Sequence, residues 1–406
     1  MKSALRRALD RAAHWFEDGE PLSWLRPLYE AADTALYSPG HVTRAAPHVR
    51  DGLDVKRMMG IVVVALVPCV LMALYNTGYQ AQSAIAAGAA PLDDWRTALY
   101  LGVGLEFDPA NPLLCAVHGA LYFIPVLVVA FAVGIGIEVA FASVRGHEVN
   151  EGFFVTGPLI ALILPPAIPL WQVAVGTAFG VVFAKEIFGG TGMNFLNPAL
   201  VVRAFLFFAY PADLSGDRPW IAADFMGVDG FSGATWLTRV STTSGALEGA
   251  SWMDAFLGLT PGSMGETSAL ACLLGGALIL GTRVASWRIV VGVTLGTLVT
   301  ASLFNWVGSD TNPMFAVPFH WHVVLGGWAL GTVYMATDPV TSSFTEVGKW
   351  WYGLGIGVLC ILIRVANPAY PEGMMLAILF MNMLAPLIDH FVVRANVRRR
   401  VARSGA

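Results

Sequence analysis

One polar stretch of the sequence combines a hydroxyl, a carboxylate and several small residues: Asp229, Gly230, Phe231, Ser232, Gly233, Ala234 and Thr235. We call this stretch the threonine motif. Glycine lets a bulky ligand approach the backbone closely. The carboxylate of Asp229 could hold a metal ion while a phosphoryl-type transfer modifies the hydroxyl of Thr235. The same residue types also build ordinary polar turns, so a purely structural role stays open.

A second group of polar residues lies beside two apolar segments that are too short to cross a membrane alone: Thr156, Asn194 and Asn197. Side-chain amides both donate and accept hydrogen bonds, so they can bind a polar ligand in apolar surroundings. Asparagine also caps the first turn of helices. The sequence therefore allows two roles for these residues, which are ligand binding and the capping of helix ends.

Three carboxylates lie in or next to apolar segments: Glu138, Asp338 and Asp389. Burying a charge in a membrane is costly, so each carboxylate is a candidate for function. One carboxylate, together with the freed carbonyl groups of a broken helix, could bind a sodium ion. Alternatively, each forms a buried hydrogen bond or an ion pair with a residue such as Arg203 or Arg364.

The elements that position these residues follow from the composition. Of the 406 residues, 56% are hydrophobic and only 13% are charged, which is about half the charged fraction of a soluble domain. A helix needs about 20 apolar residues to cross a membrane. The sequence predicts an all-α polytopic membrane protein with about ten transmembrane helices: 58–75, 113–144, 153–164, 170–184, 199–210, 267–281, 287–306, 322–336, 350–365 and 374–393. Segments 153–164 and 199–210 are short, which predicts broken helices.

Basic residues predict the orientation in the membrane. They cluster in the N-terminal arm, residues 1–57, and in the tail, residues 394–406, whereas the connection after the first crossing holds only Arg96. By the positive-inside rule, both termini lie in the cytoplasm. An even number of crossings then places the long connection 211–266, which contains the threonine motif, on the opposite side. The net charge is −4, and we expect no nucleic-acid partner.

Two short motifs recur in the second half of the chain. Thr156-Gly157-Pro158 resembles Thr337-Asp338-Pro339, and residues 194–198 resemble residues 382–386. The spacing predicts two five-helix repeats with broken helices, of which the second is inverted because five is an odd number. The predicted repeats are residues 58–210 and 267–393.

Four stretches carry a resemblance to a known family: the threonine motif and residues 147–156, 185–192 and 194–199. They resemble the B subunits of the sodium-translocating NADH:quinone oxidoreductases, and the resemblance runs from the basic N-terminal arm to the last helix. It implies an FMN joined through its phosphate to the hydroxyl of Thr235. It also implies a non-covalent riboflavin near Thr156, Asn194 and Asn197, and electron transfer from FMN through riboflavin to ubiquinone.

The resemblance further implies where quinone and sodium act. In this family the quinone slot involves the second helix and the N-terminal arm, which corresponds here to Gly134, Gly136 and Glu138. An isoleucine separates the two glycines, whereas family members have adjacent glycines, so the quinone contacts depart from the family pattern. Sodium export would then depend on Glu138, Asp338 or Asp389.

The implied assembly is a multi-subunit complex in the bacterial inner membrane, surrounded by lipid. The chain has no glycine-rich dinucleotide fingerprint between a predicted strand and a helix, so we expect a partner flavoprotein to oxidise NADH. The resemblance also implies a second partner subunit with its own covalent FMN.

Three other functions stay open from the sequence. The D subunit of Rnf-type complexes shares the threonine motif, although it lacks the extended N-terminal arm. A small-solute channel, or a structural membrane anchor, would also suit inverted five-helix repeats with broken helices. A covalently bound flavin would separate a redox subunit from a channel or an anchor.

Overall fold

A computed structural model describes residues 14–16, 55–146, 152–225, 232–367 and 370–404. Most of the N-terminal arm and the stretch 147–151 lie outside the described residues. The first three residues of the threonine motif also lie outside them: Asp229, Gly230 and Phe231. The other four residues of this motif are described: Ser232, Gly233, Ala234 and Thr235.

Helices account for most of the regular structure in the described ranges. In chain order they are α1 (Val55–Ala86), α2 (Trp95–Gly102), α3 (Pro112–Arg145), α4 (Phe153–Ile163), α5 (Leu170–Ala184), α6 (Pro198–Ala209), α7 (Trp236–Thr242), α8 (Trp252–Leu257), α9 (Ala269–Gly281), α10 (Trp287–Val307), α11 (Phe319–His322), α12 (Trp328–Leu330), α13 (Glu346–Ala366) and α14 (Met374–Ser404). A π-helical turn, Gly331–Met335, continues α12. Strands β1 (Ala90–Pro91) and β2 (Ala223–Asp224) form an antiparallel pair.

The lengths of the helices confirm an all-α polytopic membrane protein. Six helical segments of the described chain are long and apolar enough to cross a membrane: α1, α3, α10, α13, α14 and the segment Leu170–Phe188, which consists of α5 and the turn that follows it. The predicted short segments are confirmed, because α4 has 11 residues and α6 has 12. At about 1.5 Å per residue, each covers less than about 20 Å of a hydrocarbon core that is about 30 Å thick.

Two further predicted crossing segments are also shorter than a span. Helix α9 has only 13 residues. The segment 322–336 is broken, because α11 ends at His322 and the helix resumes at Trp328. Gly326 lies in the break with a φ of +64°, a left-handed conformation that glycine adopts readily. The prediction of only two short segments was therefore wrong, because average hydropathy does not register a two-glycine turn.

Small residues allow the long helices to pack closely. A side chain on Gly78 of α1 would overlap the carbonyl oxygen of Cys115 in α3. A side chain on Gly296 of α10 would overlap the carbonyl oxygen of Leu354 in α13. Backbone contact of this kind is the main source of tight helix packing in membranes, where water provides no driving force between helices.

The bundle has two ends at which polar residues converge. At one end, which we call the terminal end, the first turns of α1, α4 and α6 meet around a cavity. At the other, which we call the loop end, the start of α7 meets the residues that precede α9 and α14 around a second cavity. The short helices begin at these cavities, so their free N–H groups face polar surroundings.

The recurring sequence motifs occupy different positions in their helices. Thr156 lies in the first turn of α4, whereas Thr337 follows the π-turn. Asn197 caps α6, whereas Asn382 lies inside α14. The motifs therefore do not mark equivalent helix ends, and the division into two inverted repeats stays a prediction.

Candidate functional site

The three polar residues singled out beside the short helices meet at the terminal end. They line one cavity with an empty volume of about 780 Å³, which includes part of its open mouth. We call it the terminal cavity, and its polar lining includes Thr156, Asn194, Asn197, Tyr334, Thr337 and Asp338.

The two asparagines of the terminal cavity also hold the backbone that leads into α6. Asn197 is the N-cap, and its Oδ1 accepts hydrogen bonds from the backbone N–H groups of Ala199 at 3.1 Å and Leu200 at 3.3 Å. Asn194 Nδ2 donates to the carbonyl oxygen of Leu196 at 3.2 Å. The capping role is therefore realised. The two bonds to Asn197 involve only its oxygen, so among the described residues its Nδ2 is left to donate to a ligand.

The threonine motif ends at the start of α7, at the loop end. Thr235 is the N-cap of α7 and is half-buried, and its Oγ1 lies 3.1 Å from the hydroxyl of Thr238. A Cβ on Gly233 would lie 2.6 Å from the ring of Phe225, so no larger residue fits there. The glycine at this position therefore allows close packing of Phe225, and the approach of a ligand to this backbone stays a prediction.

Arg239 fixes the shape of the threonine motif and was not singled out from the sequence. Its Nε donates to the carbonyl oxygen of Ala234 at 3.0 Å, and its Nη2 donates to that of Ser232 at 2.5 Å. Burial lowers the pKa of Arg239, and Asp217 acts in the opposite direction, but a guanidinium stays charged at neutral pH. Its position four residues after Thr235, one helical turn away, is the signal that could have revealed it.

The candidate quinone residues on α3 do not share one face. Gly134 and Glu138, one helical turn apart, are both buried, and a side chain on Gly134 would overlap the ring of Phe153. Gly136 is exposed on another face, with no atom within 4 Å of the position of an added Cβ. The structure therefore groups Gly134 with Glu138 and separates Gly136 from them.

The three candidate sodium ligands have different partners. Glu138, with 4% of its surface exposed, forms a buried ion pair with Lys185. An ion pair was the alternative to sodium binding that the sequence left open, and here the basic partner is a lysine rather than an arginine. Asp338 lines the terminal cavity, and its Oδ2 accepts a hydrogen bond from the Thr341 hydroxyl at 2.9 Å. Of these three carboxylates, Asp338 alone faces the cavity.

Asp389 holds the loop that precedes α13. Its carboxylate accepts four hydrogen bonds from Ser343, Phe344 and Thr345, at distances between 2.5 and 3.0 Å. Such a set of donors suits a structural anchor, because it satisfies the charged group with the protein's own N–H and O–H groups. Asp389 therefore connects α14 to the loop beside the terminal cavity.

A buried ion pair and a second buried arginine lie at the loop end, and the glutamates that these arginines contact were not singled out from the sequence. Arg203 on α6 forms a buried ion pair with Glu266, and burial raises the pKa of Glu266 while Arg203 lowers it. Arg364, fully buried, donates through its guanidinium to carbonyl oxygens, including that of Glu372 at 3.0 Å. Arg203 and Arg364 therefore have structural partners.

These features define a class: a polytopic helical membrane protein with a polar cavity between short helices at one end and a capped threonine at the other. The model of the NQR2, RnfD, RnfE family matches residues 42–398. The chain belongs to this family, which confirms the resemblance seen in the sequence.

Three curated relatives illustrate how far the similarity extends. The chain is 57% identical over 409 residues to the B subunit of the Na(+)-translocating NADH-quinone reductase of Pseudomonas aeruginosa, covering 99% of this chain and 100% of the relative. The protein of the same name from Azotobacter vinelandii is 57% identical, with coverages of 98% and 99%. That from Yersinia pestis is 56% identical, also with coverages of 98% and 99%.

Proposed function

We propose that this chain is the B subunit of a sodium-translocating NADH-quinone reductase. In this role it carries electrons from a partner flavoprotein, through a covalent FMN and a riboflavin, to ubiquinone, and the transfer is coupled to sodium export. The full-length similarity to relatives of that name carries the proposal. Those names favour this role over the D subunit of an Rnf-type complex.

The geometry around Thr235 supports the covalent attachment of FMN. Its Oγ1 would form an ester bond with the phosphate of the flavin. The guanidinium of Arg239, held on the same motif, supplies positive charge near the phosphate. Arginine suits this task because its charge is permanent and its donors match phosphate oxygens.

The terminal cavity supports the binding of riboflavin. Riboflavin has a uracil-like edge and a ribityl chain, both of which need hydrogen-bond donors and acceptors. Thr156, Asn194 and Asn197 provide such groups in one cavity, and amides offer both kinds. The bound flavins would supply the electron-transfer chemistry, and the chain would position them and exclude water.

The surface of α3 supports the binding of the quinone tail. Gly136 leaves the outer surface of this helix open, and Gly134 lets Phe153 pack against the helix. Glu138 and Lys185 form a buried ion pair on the opposite face of the helix, which is the face of Gly134. An apolar tail along the open surface would use Gly136, and a headgroup near the ion pair would use Gly134 and Glu138.

Sodium and orientation form the last part of the proposal. Asp338 is the strongest sodium candidate of the three carboxylates, because it alone faces the terminal cavity.

The tail of α14 carries Arg394, Arg398, Arg399, Arg400 and Arg403. These basic residues support a cytoplasmic location for both termini in the bacterial inner membrane.

A fluorescence test checks the covalent flavin directly. Ultraviolet illumination of a denaturing gel should show a fluorescent band for the 43.3 kDa chain. Thr235→Leu should abolish the band completely, because leucine has no hydroxyl to form the ester. Thr242→Val is the matched control, since Thr242 lies exposed at the other end of α7. A band that survives in Thr235→Leu would place the attachment elsewhere, and no band in the unaltered chain would support a channel or an anchor.

A further inference from the structure

Two glutamates converge at the loop end on one two-glycine turn. Glu372 Oε2 accepts a hydrogen bond from the backbone N–H of Gly327 at 3.0 Å. A Cβ on Gly326 would lie 2.8 Å from both carboxylate oxygens of Glu372, and a Cβ on Gly327 would lie 2.7 Å from Glu266 Oε1. The absence of side chains at this turn therefore lets both carboxylates approach the same short piece of backbone.

The glutamate pair separates two cavities. The first, which we call the loop cavity, has an empty volume of about 340 Å³ and is also lined by Thr235, Ser263 and Thr267. The second, of about 250 Å³, extends toward the interior of the bundle. Glu266 and Glu372 line both cavities. Any small solute that passed between the cavities would contact these carboxylates.

A buried hydroxyl of the loop cavity lacks a partner. Ser263 has 3% of its surface exposed, and its Oγ makes no hydrogen bond of ordinary length within the described structure. It lies close enough to Glu266 to lower the pKa of that carboxyl. Buried polar atoms are rarely left unpaired. This hydroxyl, which lines the loop cavity, is therefore available to a ligand that binds there.

Among the described residues, the nearby positive charges form no ion pair with Glu372. Arg203 pairs with Glu266. Arg364 directs its guanidinium to the carbonyl oxygens of Glu372, His322 and Leu325 rather than to a carboxylate. In the described part of the chain, the carboxylate of Glu372 has one hydrogen bond, from the N–H of Gly327. A cation in the loop cavity would balance its charge.

We infer that Glu266, Glu372 and Ser263 bind a monovalent metal cation, sodium, in the loop cavity. The site offers two carboxylates and a hydroxyl, and hard cations prefer oxygen ligands. It is distinct from Glu138, Asp338 and Asp389, which lie elsewhere in the bundle. The inference rests on the proposed sodium-translocating function and adds a site at the end of the bundle that holds Thr235.

The test measures the sodium concentration that half-maximally stimulates NADH:quinone reduction by the purified complex. Glu372→Gln should raise this concentration about tenfold or more, because one charged ligand is lost. Ser263→Ala should raise it by a smaller factor. The covalent flavin band should remain in both variants. Asp254→Asn, an exposed carboxylate at the loop end, is the control and should leave the sodium dependence unchanged.

Different outcomes would overturn the sodium site and the proposed function. Unchanged half-maximal concentrations in both Glu372→Gln and Ser263→Ala would overturn the site while the function stands. Absence of any sodium stimulation in the unaltered complex would overturn the function instead. The site is then tested by thermal unfolding in sodium chloride against choline chloride. A sodium-specific stabilisation that Ser263→Ala and Glu372→Gln weaken would support the site, and equal stabilisation in all three proteins would overturn it.

Discussion

The two ends of the bundle differ in the kind of polar group that they bring together. At the terminal cavity the uncharged residues Thr156, Asn194 and Asn197 lie together with Lys185 and one carboxylate, Asp338. At the loop end, Glu266 and Glu372 converge beside Arg203. Amides cost less to bury than ionised carboxylates. The comparison indicates that the terminal cavity offers mainly uncharged hydrogen-bonding groups, which suit a neutral ligand, beside a single carboxylate, whereas the loop end offers a pair of carboxylates.

One broken segment reaches both ends. Its two-glycine turn contacts the loop-end glutamates, and Tyr334 and Thr337 line the terminal cavity. The π-turn Gly331–Met335 lies between these positions, with all five residues buried. Such turns occur frequently at functional sites. A movement of this segment would therefore change the two ends together.

The largest effect should come from removing the positive partner at the loop end. Arg203→Ala leaves Glu266 as a buried carboxylate without its ion pair, which costs about 3–5 kcal/mol. We expect a large fall in the thermal midpoint of unfolding of the purified complex. The double variant Arg203→Met, Glu266→Gln removes both charges and should unfold at a higher temperature than Arg203→Ala. Equal midpoints of unfolding for Arg203→Ala and the double variant would show that water solvates this ion pair well.

A pair of variants sharpens the comparison at the terminal end. Asn197→Asp keeps an oxygen that accepts from the N–H groups of Ala199 and Leu200, but it removes the amide donor. It should preserve stability and lower the acid-extractable flavin of the complex. Asn197→Ala should lose flavin and also about 1 kcal/mol of stability, because the helix cap is lost. Wild-type flavin content in Asn197→Asp would mean that Asn197 is only a cap.

The smallest effects should distinguish the carboxylates near the terminal cavity. Asp389→Ala removes four hydrogen bonds to the loop 343–345, so it should weaken sodium-stimulated quinone reduction indirectly. Asp338→Asn removes a carboxylate that faces the cavity, so it should raise the half-maximal sodium concentration more. Sodium titrations of quinone reduction would measure both. Unchanged sodium dependence in Asp389→Ala would remove Asp389 from the path.

Much of the fold could be predicted because it depends on local composition. Long apolar runs predicted the crossing helices, and the Pro165-Pro166 pair after 153–164 and the glycine-rich stretch before 199–210 predicted short ones. The break at Gly326 could not be predicted in the same way, because two glycines barely change the average hydropathy of segment 322–336. Its structure depends on Glu372 and Leu237, which pack against the turn from distant parts of the chain.

The residues of the candidate sites also divide into those that local sequence could predict and those that it could not. Thr235, Asn194 and Asn197 could be found from the sequence because each belongs to a short motif whose residues are neighbours. Glu266 and Glu372 could not, since nothing in their local sequence distinguishes them from other acidic loop residues. The partner of Glu138 was also missed, because Lys185 lies in a connection that the sequence places at the membrane surface.

The sequence by itself determined that this protein is a helical membrane protein and which hydroxyl and amides are candidates for flavin binding. Those features depend on residue type and on spacing within a few turns. Only the tertiary structure decided which charges meet, as in the pairs of Glu138 with Lys185 and Arg203 with Glu266. The reason is physical: side chains on different helices become neighbours only when the helices pack, and close packing depends on small residues at the contact.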